Sequence, residues 1–210
     1  MRALQATHRN DGEAPQLHSS RKVVIGLGAN SPGPWGAPGA TIARALVEFG
    51  RANIRVTAVS PLYETAALGR TRQSPYVNAV ALLDTRLSPD ALLRVVKAIE
   101  RRSGRRGGRP WGPRTLDIDI LDYAGQVRLW RGERGAFRDA GPRPLILPHP
   151  LAHERPFVLR PLLDIAPEWR HPALKKSVRE LLRLASKRGQ GAVLRRLSPA
   201  VRLASPRRTA

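Results

Sequence analysis

The sequence predicts an α+β fold, a ferredoxin-like sandwich in which an antiparallel sheet carries helices packed on it. Three observations predict it. Runs with strand and helix periodicity follow one another in the order strand, helix, strand, strand, helix, strand, the split βαβ arrangement. Glycine and proline clusters punctuate the runs at their ends. Finally, 210 residues at 41% hydrophobic content suffice for one core, whereas two domains would each be left with a thin one.

The elements follow in order. KVVIGLGAN (22–30) is a β-branched run stopped by glycine and asparagine, which reads as a buried strand opening into a loop. After the turn SPGPWGAPG, the stretch ATIARALVEFG spaces Ile42, Leu46 and Phe49 at helical intervals and is expected to end at Gly50. NIRVTAVSPLYET (53–65) and YVNAVALLDT (76–85) alternate as strands. SPDALLRVVKAIERRSG (88–104) is the clearest helix, with Ser88 as N-cap, Pro89 at the first helical position, Asp90 in the first turn and Gly104 beyond a basic last turn. Leu116–Tyr123 supplies the next strand, and SVRELLRLASKRG, with its Ser177/Glu180 capping box, a terminal helix. Residues 124–144 read as a hairpin with a long loop. Residues 1–20 are expected to be a disordered extension, 21–189 the folded domain and 190–210 a basic tail, so that a chain ended after Gly189 should keep its activity.

Composition narrows the function classes. With no cysteine there are neither disulfides nor thiolate zinc sites, and no leader or membrane-length apolar run is present, so the cytoplasm is the expected compartment. The net charge of +21 points to polyanionic partners. From Arg170 to Ala210 there are twelve Lys/Arg against one acid, Glu180, so much of the excess sits in one C-terminal stretch. At 5% aromatic content the chain lacks the aromatic interleaving of a base-stacking single-strand binder.

The chemistry concentrates in RPWGPRTLDIDILDY (109–123). Strand alternation puts Leu116, Ile118 and Ile120 on one face and Asp117 with Asp119 on the other, about 7 Å apart. Asp122 then falls in the opposite phase and receives no role. Such acids can simply face water. Two on one face repel, however, unless something neutralises them, and Mg²⁺ is held by one or two carboxylates together with phosphate oxygens. The preceding RRSGRRGGRP carries five arginines and three glycines, a guanidinium-rich loop suited to polyphosphate, or else a solvated turn. GLGANSPG lacks the P-loop lysine and the third glycine of the dinucleotide fingerprint; a tight strand-to-loop turn explains it better, although Glu48 lies near the distance of a ribose-binding acid. In LILPHPLAHERPF, His149 and His153 lack the HExxH of a zincin, and His149 with Arg155 better suits anionic phosphate.

With these pieces in place, the chain resembles the 6-hydroxymethyl-7,8-dihydropterin pyrophosphokinase family. The resemblance rests on VVIGLGAN, SPLYETAALG, QSPYVNAV, AIERRSGR, RPWGPRTLDIDIL and LPHPLAHERPFVLRPLLDIAPEW, in family order over residues 22 to 185. It implies transfer of pyrophosphate from ATP to the hydroxymethyl oxygen of the pterin, releasing AMP, in folate biosynthesis. It further implies that Asp117 and Asp119 hold two Mg²⁺ ions, that Arg105 and Arg114 reach the phosphates, and that Trp111 closes over the bound substrates. His149, Arg155 and, after the long 123–145 stretch, Arg143 fall at ATP-contact positions, with Ile120 beside the adenine. Tyr76 and Phe157 match two rings that sandwich the pterin, Asn78 an amide that pairs with it, and Thr65, Ala66 and Leu68 the strand-end wall; Glu100 matches a helix-end acid. Arg106 and Arg109 both compete for a second phosphate-binding arginine. No general base stands out.

The resemblance thus makes ATP and the pterin the partners of an Mg²⁺-dependent monomer with no membrane or nucleic acid. The rivals are a basic nucleic-acid-binding protein and a nucleotide-binding pseudoenzyme of the same fold. Intact Asp117, Asp119 and Arg114 speak against the second.

Overall fold

The computed structural model describes residues 20–66, 74–105, 114–132, 144–187 and 191–197. Six strands form one sheet: β1 (Arg21–Ala29), β2 (Arg55–Val59), β3 (Leu62–Thr65), β4 (Tyr76–Thr85), β5 (Asp117–Tyr123) and β6 (Val193–Leu197). Their order is β5-β1-β4-β3-β6, with β2 also on β4, and every named pair is antiparallel. Helices α1 (Pro38–Arg51) and α2 (Pro89–Arg102) connect strands as the split βαβ order requires, and α3 (Pro156–Ile165) with α4 (Val178–Ser186) follows β5. The predicted α+β sandwich is therefore the observed one.

Alternation along β1 sorts two cores. Val23, Ile25, Leu27 and Ala29 point into the core covered by α1 and α2, where Ile42, Phe49, Leu92 and Ile99 are buried. Val24 points the other way and packs with Val80 and Leu121 against Leu159, Leu162 and Leu181 of α3 and α4. That second helical layer leaves the rest of its face open. Beyond Val24 the strand carries Gly26 and Gly28, and the uncovered part of the sheet becomes the floor of a cleft.

Several boundaries differ from the sequence expectation, each for a physical reason. The single strand expected over 53–65 breaks at Ser60-Pro61. Pro61 has no N–H for the ladder, and the buried Ser60 hydroxyl instead accepts the Val80 N–H at 3.0 Å. Helix α1 runs one residue past Gly50, and the left-handed position that ends the segment is Asn53 (φ 57°). Helix α2 ends as expected, with Gly104 at φ 87°. Of the expected 124–144 hairpin, the described residues show a mutual backbone pair between Arg128 and Leu147, at 2.7 and 2.9 Å. Helix α3 forms in a proline-rich stretch whose pattern predicts no helix, because Pro156 sits at its first turn, where no N–H is needed. Finally, residues 193–197, expected within the basic tail, form the edge strand β6.

A bulge corrects the phase of Asp122. The β1–β5 register passes from Val24↔Asp122 to Ile25↔Ile120, leaving Leu121 as the extra residue. Partners across a ladder share a face, so Asp122 beside Val24 lies on the same face as Asp119 beside Gly26 and Asp117 beside Gly28. It is a structural acid there. Its carboxylate accepts the Trp169 indole N–H at 2.8 Å and the Gly125 N–H at 2.9 Å.

Candidate active site

The cleft has a volume of about 610 Å³ and gathers side chains from β1, β3, β4, β5 and the 149–158 segment. Its floor is low because β1 presents glycines. A Cβ on Gly28 would lie 2.8 Å from Asn78 Oδ1. The GLGAN stretch is thus neither a phosphate loop nor a turn but a strand stripped of side chains on one face. Glu48, near the spacing of a ribose-binding acid, is buried on α1 and bonded to Arg44, Arg51 and Arg102.

One end of the cleft is ionic. Asp117 takes a guanidinium on each oxygen, Arg105 on Oδ1 at 2.5 Å and Arg114 on Oδ2. Burial opposes its charge, but the two arginines outweigh burial and hold the carboxyl below the ordinary aspartate range. Arg105 also meets Glu100, a buried acid that accepts Lys97 Nζ at 2.8 Å and the Ile118 N–H at 2.9 Å. Asp119 is more open, with Arg155 Nη1 at 3.6 Å and His149 Nε2 at 3.7 Å. Burial lowers the His149 pKa against the pull of Asp119, so the imidazole is neutral at neutral pH.

Asn30, to which the sequence alone assigns no role in the site, fixes the Arg114 backbone in place. Its Oδ1 accepts the Arg114 N–H at 2.8 Å, its own N–H and that of Ser31 donate to the Arg114 carbonyl at 3.0 and 3.2 Å, and Nδ2 reaches the Ser74 carbonyl at 3.3 Å. One amide thereby ties together the ends of β1, the segment entering β4 and the approach to β5. Its signal in the sequence was a polar donor-acceptor side chain directly after an apolar strand.

The other end is aromatic and polar. Tyr76 and Phe157 line it with Thr65, Ala66, Leu151 and Val158. Asn78 Nδ2 donates to Thr65 Oγ1 at 2.7 Å, which leaves the amide oxygen as an acceptor at the floor. Arg155 lies over the Phe157 ring, 5.6 Å from its centroid.

Of the residues predicted from sequence, Thr65, Ala66, Tyr76, Asn78, Arg114, Asp117, Asp119, His149, Arg155 and Phe157 line this one cleft, and Arg105 enters it through Asp117. Ile120 does not. Its side chain is 4% exposed and packs in the α1/α2 core on the far face, as strand alternation requires, so that side chain does not line the cleft. Leu68, Trp111 and Arg143, along with Arg106 and Arg109, lie outside the described residues.

Among the described residues no group of three or more His, Cys, Asp or Glu could hold a metal by itself. Two hard carboxylates facing a polar cleft fit Mg²⁺, which takes one or two carboxylates and completes its shell with water and phosphate oxygens.

Comparison with known proteins decides the family. Residues 24–167 match the profile of 7,8-dihydro-6-hydroxymethylpterin-pyrophosphokinase (HPPK). The chain belongs to the HPPK family. It is 42% identical over 153 residues to the 2-amino-4-hydroxy-6-hydroxymethyldihydropteridine pyrophosphokinase of Pseudomonas aeruginosa, covering 72% of this chain and 85% of that one. The enzyme of the same name from Methylorubrum extorquens is 40% identical over 149 residues, covering 70% and 84%. In fold, the chain is similar to the crystal structure of wild-type Plasmodium falciparum HPPK-DHPS with pteroate, at a TM-score of 0.59 and 16% identity over 81% of this chain. It spans 43% of that longer protein. As an HPPK, the chain places Arg114, Asp117 and Asp119 of the family motif WGPRTLDIDIL on the ionic side of the cleft.

Proposed function

We infer that this HPPK transfers pyrophosphate from ATP to the hydroxymethyl group of 6-hydroxymethyl-7,8-dihydropterin, releasing AMP, in folate biosynthesis. One observation carries the site assignment: a single cleft unites Asp117, Asp119, Arg105 and Arg114 at one end with Tyr76, Phe157 and Asn78 at the other. A triphosphate and a flat heteroaromatic ring need those two environments side by side.

The pterin ring stacks on Tyr76 and Phe157, and the Asn78 amide pairs with its hydrogen-bonding edge. The hydroxymethyl oxygen then faces the phosphates. It attacks the β-phosphorus of ATP as the bond from that phosphorus to the α,β-bridging oxygen breaks; the oxygen leaves on AMP and the hydroxyl proton passes to solvent. Arg105, Arg114, Arg155 and neutral His149 meet the phosphate oxygens. Asp117 and Asp119 would hold Mg²⁺, in the reading two ions, whose charge neutralises the polyphosphate. The residues therefore act by alignment and charge neutralisation; among the described residues no general base stands out. The enzyme is proposed to act in the cytoplasm as a monomer.

A coupled assay of AMP release from ATP and the pterin with Mg²⁺ tests the proposal. Asp117→Ala and Asp119→Ala should each lower turnover by about a hundredfold or more. No release by the unaltered protein would overturn the activity, and unchanged turnover in both variants would overturn the metal assignment.

A further inference from the structure

We propose that the C-terminal strand β6 is a positioning element of the pterin end of the cleft; the proposal rests on the functional reading above. Strand β3 is short, and on its β4 side it is paired through only three residues, Tyr63↔Asn78, Glu64↔Val77 and Thr65↔Tyr76. Its last residue, Thr65, and the following Ala66 both line the cleft. A wall built at the end of so short a strand is fixed only if its other edge is held as well.

Strand β6 holds that edge. It pairs Leu197, Arg196 and Arg195 with Leu62, Tyr63 and Glu64, then bulges at Leu194 so that Val193 meets Thr65. The ladder continues one step past the end of β3, where the Ala66 N–H donates to the Ala192 carbonyl at 3.0 Å. Arg195 locks the register by donating from Nη2 and Nε to Glu64 Oε2, at 2.8 and 3.2 Å.

The consequence reaches the ligand face through two bonds. Thr65, fixed by Val193, accepts the Asn78 amide at 2.7 Å, which sets which atom of Asn78 faces the ring. Ala66, fixed by Ala192, sets the wall. Both act before substrate arrives, so their effect falls on the cost of ordering the site and hence on affinity for the ring. The phosphate end, built on β1, β5 and the 149–155 segment, has no contact with β6 among the interactions described above.

The experiment compares the full chain with chains ended after Gly189, which lack β6, and after Leu197, which keep it. For the chain ended after Gly189, Kd and KM for the pterin should rise about tenfold while the Kd for ATP moves less than about twofold and kcat at saturating pterin stays within about threefold. Exchange of the Ala66 amide hydrogen should quicken by about tenfold or more, and an added peptide of residues 190–197 should restore pterin affinity. The chain ended after Leu197 should match the full chain. A folded chain ended after Gly189 with unchanged pterin affinity and unchanged Ala66 exchange would overturn the proposal, as would a loss confined to kcat. If that chain does not fold, Val193→Pro in the full chain, which breaks the pairing opposite Thr65, is judged on the same readings. A full chain that binds no pterin would instead overturn the functional reading, and Ala66 exchange alone would still decide whether β6 clamps the wall.

Discussion

Arg105 donates to Asp117 Oδ1 at 2.5 Å, and the same guanidinium rests on Glu100, whose other partners are Lys97 and the Ile118 N–H. The end of α2 is thereby riveted to the start of β5 through alternating charges. Arg114 completes the set on Asp117 Oδ2. Asp117 is consequently ionised throughout the neutral range, with both oxygens engaged by guanidinium groups. Under the proposed function, metal and guanidinium would compete for one carboxylate, and a polyphosphate would resolve the competition by offering the arginines a second anion.

That competition predicts opposite signs for two measurements on Arg114→Ala. Without the guanidinium, Asp117 Oδ2 is released, so Mn²⁺ affinity of the nucleotide-free protein, followed by electron paramagnetic resonance, should rise by a few fold. Turnover should fall about tenfold to a thousandfold if Arg114 meets the phosphates as proposed. A fall in both would mean that Arg114 orients Asp117 rather than competing for it.

Gly28→Ala tests the floor. Extended backbone accommodates alanine, but its Cβ would stand 2.8 Å from Asn78 Oδ1, forcing the amide to shift and pulling on its bond to Thr65. The pterin KM should rise roughly tenfold while thermal stability changes by no more than about 1 kcal/mol. An unchanged KM would show that the Asn78 position does not matter to the ring.

The legibility of this fold followed the range of the interactions involved. Ser88-Pro89-Asp90 and the Ser177/Glu180 box are local devices, and both helix starts stand where they were read. What the sequence hid depends on partners far along the chain. The bulge that turns Asp122 back toward Asp119 exists only against β1, and β6 reads as a basic tail because VLRRL gains its strand character by pairing with β3. Prolines 156 and 161 masked α3. In the site, alternation alone brought Asp117 and Asp119 to one face, and the same alternation carries the Ile120 side chain away from it. The aromatic end was legible only through family resemblance, since no local rule joins Tyr76 to Phe157 across eighty residues of chain.

Glu48 is expected to matter for stability and not for chemistry. Buried on α1, it accepts Arg44 and Arg51 from its own helix and Arg102 from the end of α2, at 3.0, 2.7 and 3.0 Å. The three guanidiniums are about half exposed and regain water when the acid is removed, which limits the penalty. Glu48→Ala should cost about 1–2 kcal/mol in urea unfolding, with AMP release per folded molecule unchanged. A loss of turnover at full folding would reopen a functional role for this acid.

His171 predicts an acid limb of stability. It is fully buried among Trp130, His153 and Trp169, with ring centroids 5.6, 5.4 and 5.8 Å away. Its Nδ1 accepts the Ala173 and Leu174 N–H groups at 3.3 and 3.1 Å, so the folded state holds the neutral tautomer with the proton on Nε2. Protonating Nδ1 would put two donors against a third inside the core. Burial, with His153 adding to it, lowers the pKa from 6.5 to about 4. Below pH 6.5 the unfolded chain therefore takes up a proton that the folded chain refuses until about pH 4. The stabilisation is fully present above the unfolded value, declines as pH falls through this window, and the total loss is on the order of 3 kcal/mol. Urea midpoints measured from pH 7 to 4 should fall accordingly, and His171→Phe should flatten that part of the curve relative to the unaltered protein. Parallel curves for the two proteins would mean that His171 titrates in the folded state as it does in water.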